Sequence, residues 1–401
     1  MTGFPHGPSR CTIVPPYLLV RLARVDDPRL AAAAAAARRS LMRDVPIRES
    51  RAAAHPSPSS STVPGTRVGV ASRVRGRLDR AVSDAGRLER LPGRLIRREG
   101  QPAGTDPAVN EAWAGLGDTH SLFWDMYGRD SIDDRGLPLE ATVHYGRNYD
   151  NAFWDGERMV FGDGDGQVFN RFTSSLTVIG HELTHGVTQF TANLTYQGQS
   201  GAINESLSDV FGSLVEQRSL GQSAVEAGWL IGEGLFTAQV QGVALRSLKA
   251  PGTAYNDDVL GKDPQPADMA GYIETEDDNG GVHLNSGIPN RAFYLVATTL
   301  GGNAWETAGQ IWFDTLTSGT LGRAVDFAGF ARATSRAAVT RHGAGSREHD
   351  AVIDAWTAVG LGGGLGAGSR PRTGTRSKTG TGAGSNTAAR PAAADPAPRP
   401  E

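Results

Sequence analysis

The chain has 401 residues, 39% of them hydrophobic and 21% charged, with a formal net charge of −3. That is enough apolar material for a large core and points to two lobes, and near-neutrality excludes a nucleic-acid partner held by bulk charge. The single cysteine, Cys11, excludes an internal disulfide framework and a cysteine-based zinc site, so histidine and carboxylate must do any metal work.

Residues 1–50 read as a small unit, with a short apolar segment from Cys11 to Leu22 and an alanine-rich helical stretch from Leu30 to Arg43. The apolar run is broken by Pro15 and Pro16 and the first basic residues come late, unlike a secretory signal. The expectation is therefore no conventional signal peptide, with the protein cytoplasmic or secreted by a leaderless route. No run approaches the roughly 18 apolar residues of a membrane span, so no membrane partner is expected. Residues 51–77 are rich in Ala, Ser and Pro and read as a flexible, protease-accessible linker.

From about residue 78 to 180, β-branched and aromatic runs punctuated by glycine predict strands and hairpins, around Thr142 and His144 and around Met159 and Phe161. The run Gly162-Asp163-Gly164-Asp165-Gly166 reads as a tight hairpin turn rather than a calcium loop, because the ligand count of an EF-hand is missing. Helices take over after Thr173. Beyond Ser286 the pattern is almost purely helical, with Ala304, Ala308, Ile311, Trp312 and Leu316 on one face. The last helix is opened by Ser346 and closed by Gly360. The glycine-rich run from Gly360 does not sit between strand and helix, so it is no nucleotide loop. Residues 363–401 hold essentially no large apolar residue and read as a disordered tail.

The chemistry concentrates in His181-Glu182-Leu183-Thr184-His185, followed after nineteen residues by Glu205 in the run GAINESLSD. On a helix His181 and His185 share a face, so both imidazoles can bind one Zn²⁺ while Glu182 faces its open position. Glu205 opens a second apparent helix on which Asp209 lies four residues on, on the same face. Glu205 can then reach the metal, and Asp209 can take the second N–H of a ligating histidine.

These motifs, with YDNAFWDGERMVFGDGDG from Tyr149 and EDDNGGVHLNSGIPNRAFYL further on, resemble the thermolysin-type neutral zinc metalloproteases over roughly residues 78–362. The spacing also separates zinc families: aminopeptidases sharing H-E-x-x-H carry one residue fewer before the distal glutamate and a G-x-M-E-N segment absent here. The resemblance implies an α+β, two-lobe thermolysin-like fold. A β-rich N-terminal lobe at 78–210 would include the HELTH helix, an all-helical C-terminal lobe would span 211–362, and the zinc would sit in the cleft between them.

It further implies His181, His185 and Glu205 as ligands of one catalytic zinc, with Glu182 as general base. Tyr196 and His283 would be oxyanion donors and Asp278 the acid that orients and charges His283. Asn151 and the backbone of Ala152 would pair with an extended substrate, and Arg246 would hold a primed-side carbonyl. Phe169, Phe172, Val178, Ile231 and Leu245 would line the S1′ pocket, implying cleavage of internal peptide bonds before bulky apolar residues. At the family's paired calcium cluster this chain has Thr177, Gly228 and Leu230, leaving Glu216 and Glu233, so at most one weak Ca²⁺ is expected.

The N-terminal run SRCTIVPPYLLVRLAR resembles the short propeptide of the protealysin-like subgroup. It implies an autoprocessed zymogen in which residues 1–50 fold over the cleft as an intramolecular inhibitor, Pro15-Pro16-Tyr17 blocking substrate. Cys11 then reads as a packed propeptide residue, with an inhibitory thiolate on zinc as the alternative. The protein is expected to act on protein or peptide substrates as a monomer. A proteolytically silent, metal-stabilised scaffold is the competing class, and Glu182, Tyr196, Asp278 and His283 as a matched set argue against it.

Overall fold

The computed structural model describes residues 12–53 and 76–363. The readings for Cys11, for most of the linker and for the tail beyond Gly363 therefore concern residues outside those described. Two helices open the described chain, α1 (Pro16–Ala23) and α2 (Ala31–Ala53). They are joined by a turn in which Asp27 accepts from the Arg29 N–H. Leu18, Leu19 and Leu22 of α1 and Ala33 and Ala37 of α2 are buried in the main core, so this alanine-rich helix packs through small side chains.

The N-terminal sheet combines β1 (Arg80–Asp84), β2 (Arg94–Arg98), β3 (Leu139–Val143), β4 (Ala152–Trp154) and β5 (Met159–Phe161) in the order β2-β1-β3-β5-β4. β1 and β3 are parallel, so the chain must cross over between them. It does so through a 21-residue helix, α3 (Pro107–Tyr127), started by Asp106 and stopped by left-handed Gly128. The sequence reading of strands and hairpins misses α3, whose Gly115 and Gly117 weaken its helical signal. Gly115 has a packing reason: a Cβ there would lie 2.4 Å from Ile179 Cδ1. β4 is the edge strand, and its outer side faces the cleft.

Next come α4 (Leu176–Gln189), which carries the HELTH run, and α5 (Gly198–Leu220). Their approach is close because Gly212 has no side chain; a Cβ there would lie 2.6 Å from the Thr177 carbonyl. The expected helical C-terminal region is real, but it begins with two small antiparallel pairs. These are β6 (Leu230–Ile231) with β7 (Arg246–Ser247), and β8 (Asn256–Asp257) with β9 (Gly261–Lys262). Strands of two residues leave no alternation to read.

Then follow α6 (Asp277–Asn285), α7 (Gly287–Leu300), α8 (Thr307–Thr317), α9 (Phe327–His342) and α10 (Arg347–Ala358). The last four enclose Phe293, Trp312, Phe330 and Trp356, with Trp312 and Trp356 stacked at an interplanar angle of 7°. Among the described residues no helix is long and apolar enough to cross a membrane.

Two local expectations change. The Gly162–Gly166 run is not a hairpin: it leaves β5 for a bridge between Phe169 and Phe236, and Asp165 Oδ1 accepts from the N–H groups of Gln167, Val168 and Phe169. His144 lies just past β3 with φ of 53° rather than within a strand. Its ring bridges two acids, Nδ1 to Asp163 Oδ1 at 2.7 Å and Nε2 to Asp106 Oδ2 at 2.9 Å. It thus ties the α3 N-terminus to the glycine-rich turn.

The hydrogen bond to Asp163 is the main reason the His144 pKa is raised, to about 9, against a smaller downward push from burial. A histidine raised in the folded state contributes stability that is full below its unfolded pKa of about 6.5 and lost as pH rises through the folded value. In a Glu182→Gln background, His144→Gln is expected to lower the thermal midpoint by several degrees near pH 6. The gap should close towards pH 9 and above; thermal scans giving a gap independent of pH would refute the ion-bridge account.

Candidate active site and metal centre

His181 and His185 project from one face of α4 and Glu205 from α5, all three buried, with ligand atoms within 4.8 Å of one another. The two Nε2 atoms are 3.0 Å apart, and Glu205 oxygens lie 3.6 Å from His181 Nε2 and 3.5 Å from His185 Nε2. Tetrahedral zinc with bonds near 2.0–2.1 Å places its ligands roughly 3.3 Å apart, which matches this triangle.

The far side of each ring fixes the tautomer. His181 Nδ1 donates to Asp209 Oδ1 at 2.7 Å, and His185 Nδ1 lies 2.9 Å from Asn204 Oδ1 and 3.0 Å from Ser208 Oγ. With the protons on Nδ1, two Nε2 lone pairs and a carboxylate converge on one point, a donor set that calls for a cation. Asn204 and Ser208, four apart on α5, escape the sequence reading; their shared helix face with Glu205 and Asp209 is the signal that could have found them.

Asp209 also binds outward. Its oxygens accept from Arg246 Nη2 at 2.8 Å, Arg246 Nε at 2.9 Å and Asn290 Nδ2 at 2.9 Å, besides His181. All these side chains are fully buried. Burial would raise the Asp209 pKa, but Arg246 and then His181 outweigh it and hold the carboxyl well below its ordinary value. Arg246 thus anchors to the same acid that orients a metal-site histidine.

Glu182 is buried beside the trio, and its Oε2 accepts from the Trp154 N–H at the end of β4 at 3.1 Å. His283 comes from α6, where Asp278, Asn279, Gly280 and Gly281 take consecutive left-handed conformations. This turn folds Asp278 back so that Oδ1 meets His283 Nδ1 at 2.6 Å and Oδ2 accepts from the His283 N–H at 2.8 Å. Burial alone would lower the His283 pKa; Asp278 and then Glu205 outweigh it and raise it. The Tyr196 hydroxyl donates to Glu205 Oε1 at 2.5 Å and sits 3.4 Å from His283 Nε2.

A peptide strand already occupies the cleft. Thr12 bridges antiparallel to Phe153 on the edge of β4, and the Ile13 N–H donates to the Ala152 carbonyl at 3.2 Å. The Val14 N–H donates to Asn151 Oδ1 at 2.9 Å, Arg246 Nη1 donates to the Ile13 carbonyl at 3.0 Å, and His283 Nε2 lies 3.1 Å from the Thr12 carbonyl. The segment paired with the edge strand is therefore Thr12–Val14, and Pro15-Pro16-Tyr17 follow it outside that pairing, with Tyr17 within electrostatic reach of Arg246 and Asp278. The physical reason is that Pro15 and Pro16 lack the N–H an added strand needs, and Pro16 already starts α1.

The Ile13 side chain is fully buried, as are Phe169, Phe172, Val178, Ile231 and Leu245. Pairing of β6 with β7 sets Ile231 opposite Arg246, and the Leu245 N–H bonds to the Ile231 carbonyl. These two apolar residues thus lie next to Arg246 in the strand pair, one beside it in the chain and one opposite it.

Helix α2 locks this arrangement through residues the sequence reading does not single out. Buried Asp44 accepts from the Tyr149 hydroxyl at 2.6 Å and from Asn151 Nδ2 at 3.1 Å. Ser40 Oγ accepts from the Asp150 N–H, and Gln167 Oε1 accepts from the Ala33 N–H near the start of α2. Such long-range polar contacts leave no periodic trace.

Residues 84–189 match the model of the thermolysin metallopeptidase catalytic domain and residues 192–361 that of its alpha-helical domain. An extracellular metalloprotease of Pectobacterium carotovorum is 48% identical over 354 residues, covering 88% of this chain and 96% of its own. An extracellular minor metalloprotease of Serratia marcescens is 52% identical over 197 residues, covering 49% of this chain and 56% of its own. The solved precursor of protealysin from Serratia proteamaculans superposes with a TM-score of 0.78 at 48% identity, covering 88% of this chain and 99% of that one.

The extracellular designations of these relatives overturn the expectation of a cytoplasmic protein and point to secretion. The first residues alone do not report location, whereas a relative aligned over 88% of this chain carries an extracellular name. Taken with the two matched domains, the histidine–glutamate metal site and the strand-filled cleft place this chain in the thermolysin family of metallopeptidases, as a protealysin-like zinc endopeptidase made as a proenzyme.

Proposed function

We propose that His181, His185 and Glu205 hold a single catalytic zinc, that Glu182 is the general base, and that Tyr196 and His283 stabilise the tetrahedral oxyanion. Zinc, when bound, supplies a Lewis acid that polarises the scissile carbonyl and makes water a nucleophile near neutral pH. Glu182 takes a proton from the attacking water and passes it to the departing amine. Asp278 holds His283 oriented and charged, so a donor is aimed where negative charge develops, an effect worth about 3 kcal/mol. Asp209 orients His181 and positions Arg246.

The observation that carries this reading is the strand Thr12–Val14, bound as an extended substrate would be. One carbonyl lies on His283, the next on Arg246, and the N–H groups lie on Ala152 and Asn151. By that geometry Ile13 occupies the S1′ pocket, and Phe169, Phe172, Val178, Ile231 and Leu245 select bulky apolar residues there. The same strand makes residues 1–50 an intramolecular inhibitor released by cleavage within 51–77. Lobes at 78–210 and 211–362 and a tail from 363 complete the proposed organisation.

We further place the enzyme outside the cell, as the names of its relatives suggest, and propose that it acts as a monomer. For calcium we propose at most one weak ion. Thr177 Oγ1 accepts from the Gly232 N–H at 2.9 Å, so it is engaged locally. Burial, then the neighbouring Glu233, raises the Glu216 pKa to about 7, and two carboxylates fall short of the roughly six to eight oxygens that calcium takes.

Against a quenched peptide, the processed enzyme is expected to lose about 10²–10⁴ in kcat/KM on Glu182→Gln and all activity with a zinc chelator, recovered on adding zinc. Equal turnover in wild type and Glu182→Gln would sink the mechanism. A P1′ peptide library should favour Leu, Phe and Ile, and a preference for small or charged residues would reject the pocket assignment. Asp209→Asn is expected to weaken zinc binding about 10–100-fold in a chelator competition; unchanged affinity would remove Asp209 from its orienting role.

A further inference from the structure

We propose that the enzyme hydrolyses its own Thr12–Ile13 peptide bond, so that the inhibitory strand is a slow substrate as well as a plug. This rests on the reading of the site given above. The carbonyl facing the oxyanion donor His283 belongs to Thr12, at 3.1 Å. The residue on the leaving-group side is Ile13, whose N–H is held by the Ala152 carbonyl at 3.2 Å and whose carbonyl is held by Arg246 at 3.0 Å. The strand runs antiparallel to β4, and Val14 continues it onto Asn151. In this register the carbonyl on His283 is that of Thr12 and the next, on Arg246, that of Ile13; a shift by one residue would present a different peptide bond.

Water adds to the Thr12 carbonyl carbon, the C–N bond breaks, and the proton removed by Glu182 goes to the Ile13 nitrogen. The products are a carboxylate on Thr12 and a new amino terminus at Ile13. Three consecutive β-branched residues, Thr12, Ile13 and Val14, are stiff at χ1, and the buried Ile13 restrains the rotation that the leaving amine requires. The cut is therefore slow compared with cleavage of a free peptide.

The Ile13 side of the bond keeps Arg246, Asn151 and the anchors of α2 at Asp44, Ser40 and Ala33. A cut at this bond leaves the Ile13 side on these anchors, with the S1′ pocket still filled. It trims the inhibitor without releasing it, and full activation still waits on detachment of α1 and α2.

The test follows the intact, zinc-loaded chain by mass spectrometry over hours and across a hundredfold range of protein concentration. A product lacking residues 1–12 and beginning at Ile13 is expected, forming at a concentration-independent rate. It should be absent from Glu182→Gln, faster in Ile13→Leu and absent from Ile13→Pro. In uncut Glu182→Gln, hydrogen exchange should show the Ile13 and Val14 amides protected.

A pro-segment that keeps residues 1–12, or is cut elsewhere between residues 10 and 20, while the same preparation cleaves an external peptide, would overturn the proposal. So would unprotected Ile13 and Val14 amides. Failure of the processed enzyme on the external peptide would instead count against the catalytic reading itself.

Discussion

The site depends on one buried carboxylate, Asp209. It accepts four donated hydrogen bonds, from His181, twice from Arg246 and from Asn290, with no solvent exposure at any partner. An isolated buried carboxylate would cost several kcal/mol, and an isolated buried guanidinium as much again; paired and fully hydrogen-bonded, each offsets the other. Three parts of the chain are thereby held to one point: the metal helix α4, the strand β7 and the helix α7. The metal-site histidine and the clamp that grips a bound peptide strand share a single anchor, so their separation is set by the geometry of one side chain.

Close packing makes that anchor reachable. Asp209 meets His181 only because α4 and α5 approach through Gly212, where any Cβ would strike the Thr177 carbonyl. A bulkier residue would push α5 outward and draw Glu205, Asn204 and Asp209 away from the histidines together. The tetrad of left-handed residues at 278–281 works similarly from the other side of the cleft. It adopts a conformation that non-glycine residues avoid, and in return Asp278 reaches both the ring and the backbone N–H of His283.

The cleft uses the free edge of β4 as a general receptor for extended peptide. Backbone hydrogen bonds along an edge do not read side chains, so they accept any strand of the right direction. The chain fills this edge with its own Thr12–Val14, and the plug is held by the same groups that we assign to substrate. What distinguishes plug from substrate is tethering. Asp44 on α2 bonds to Asn151, which in turn bonds to Val14, so the helix secures the very residue that holds the strand.

Much of this was legible in the linear chain wherever the interaction is local and periodic. Four-residue spacing puts His181 with His185, and Glu205 with Asp209, on single helix faces; the Ser346 cap and the apolar stripe from Ala304 to Leu316 follow from helical geometry alone. Helix α3 stayed hidden because its Gly115 answers to Ile179 and its Gly117 to Arg80, both distant in sequence, and β6–β9 because two-residue strands carry no period. The register that lays Thr12, not the prolines, on His283, and the bonds from Asp44 and Gln167 to distant partners, join residues up to 271 positions apart. The sequence by itself determined which side chains could do the chemistry, since composition and spacing set ligand type and helix face. Only the tertiary structure decided which peptide bond faces them, because strand direction and register arise from non-local hydrogen bonds that no local pattern encodes.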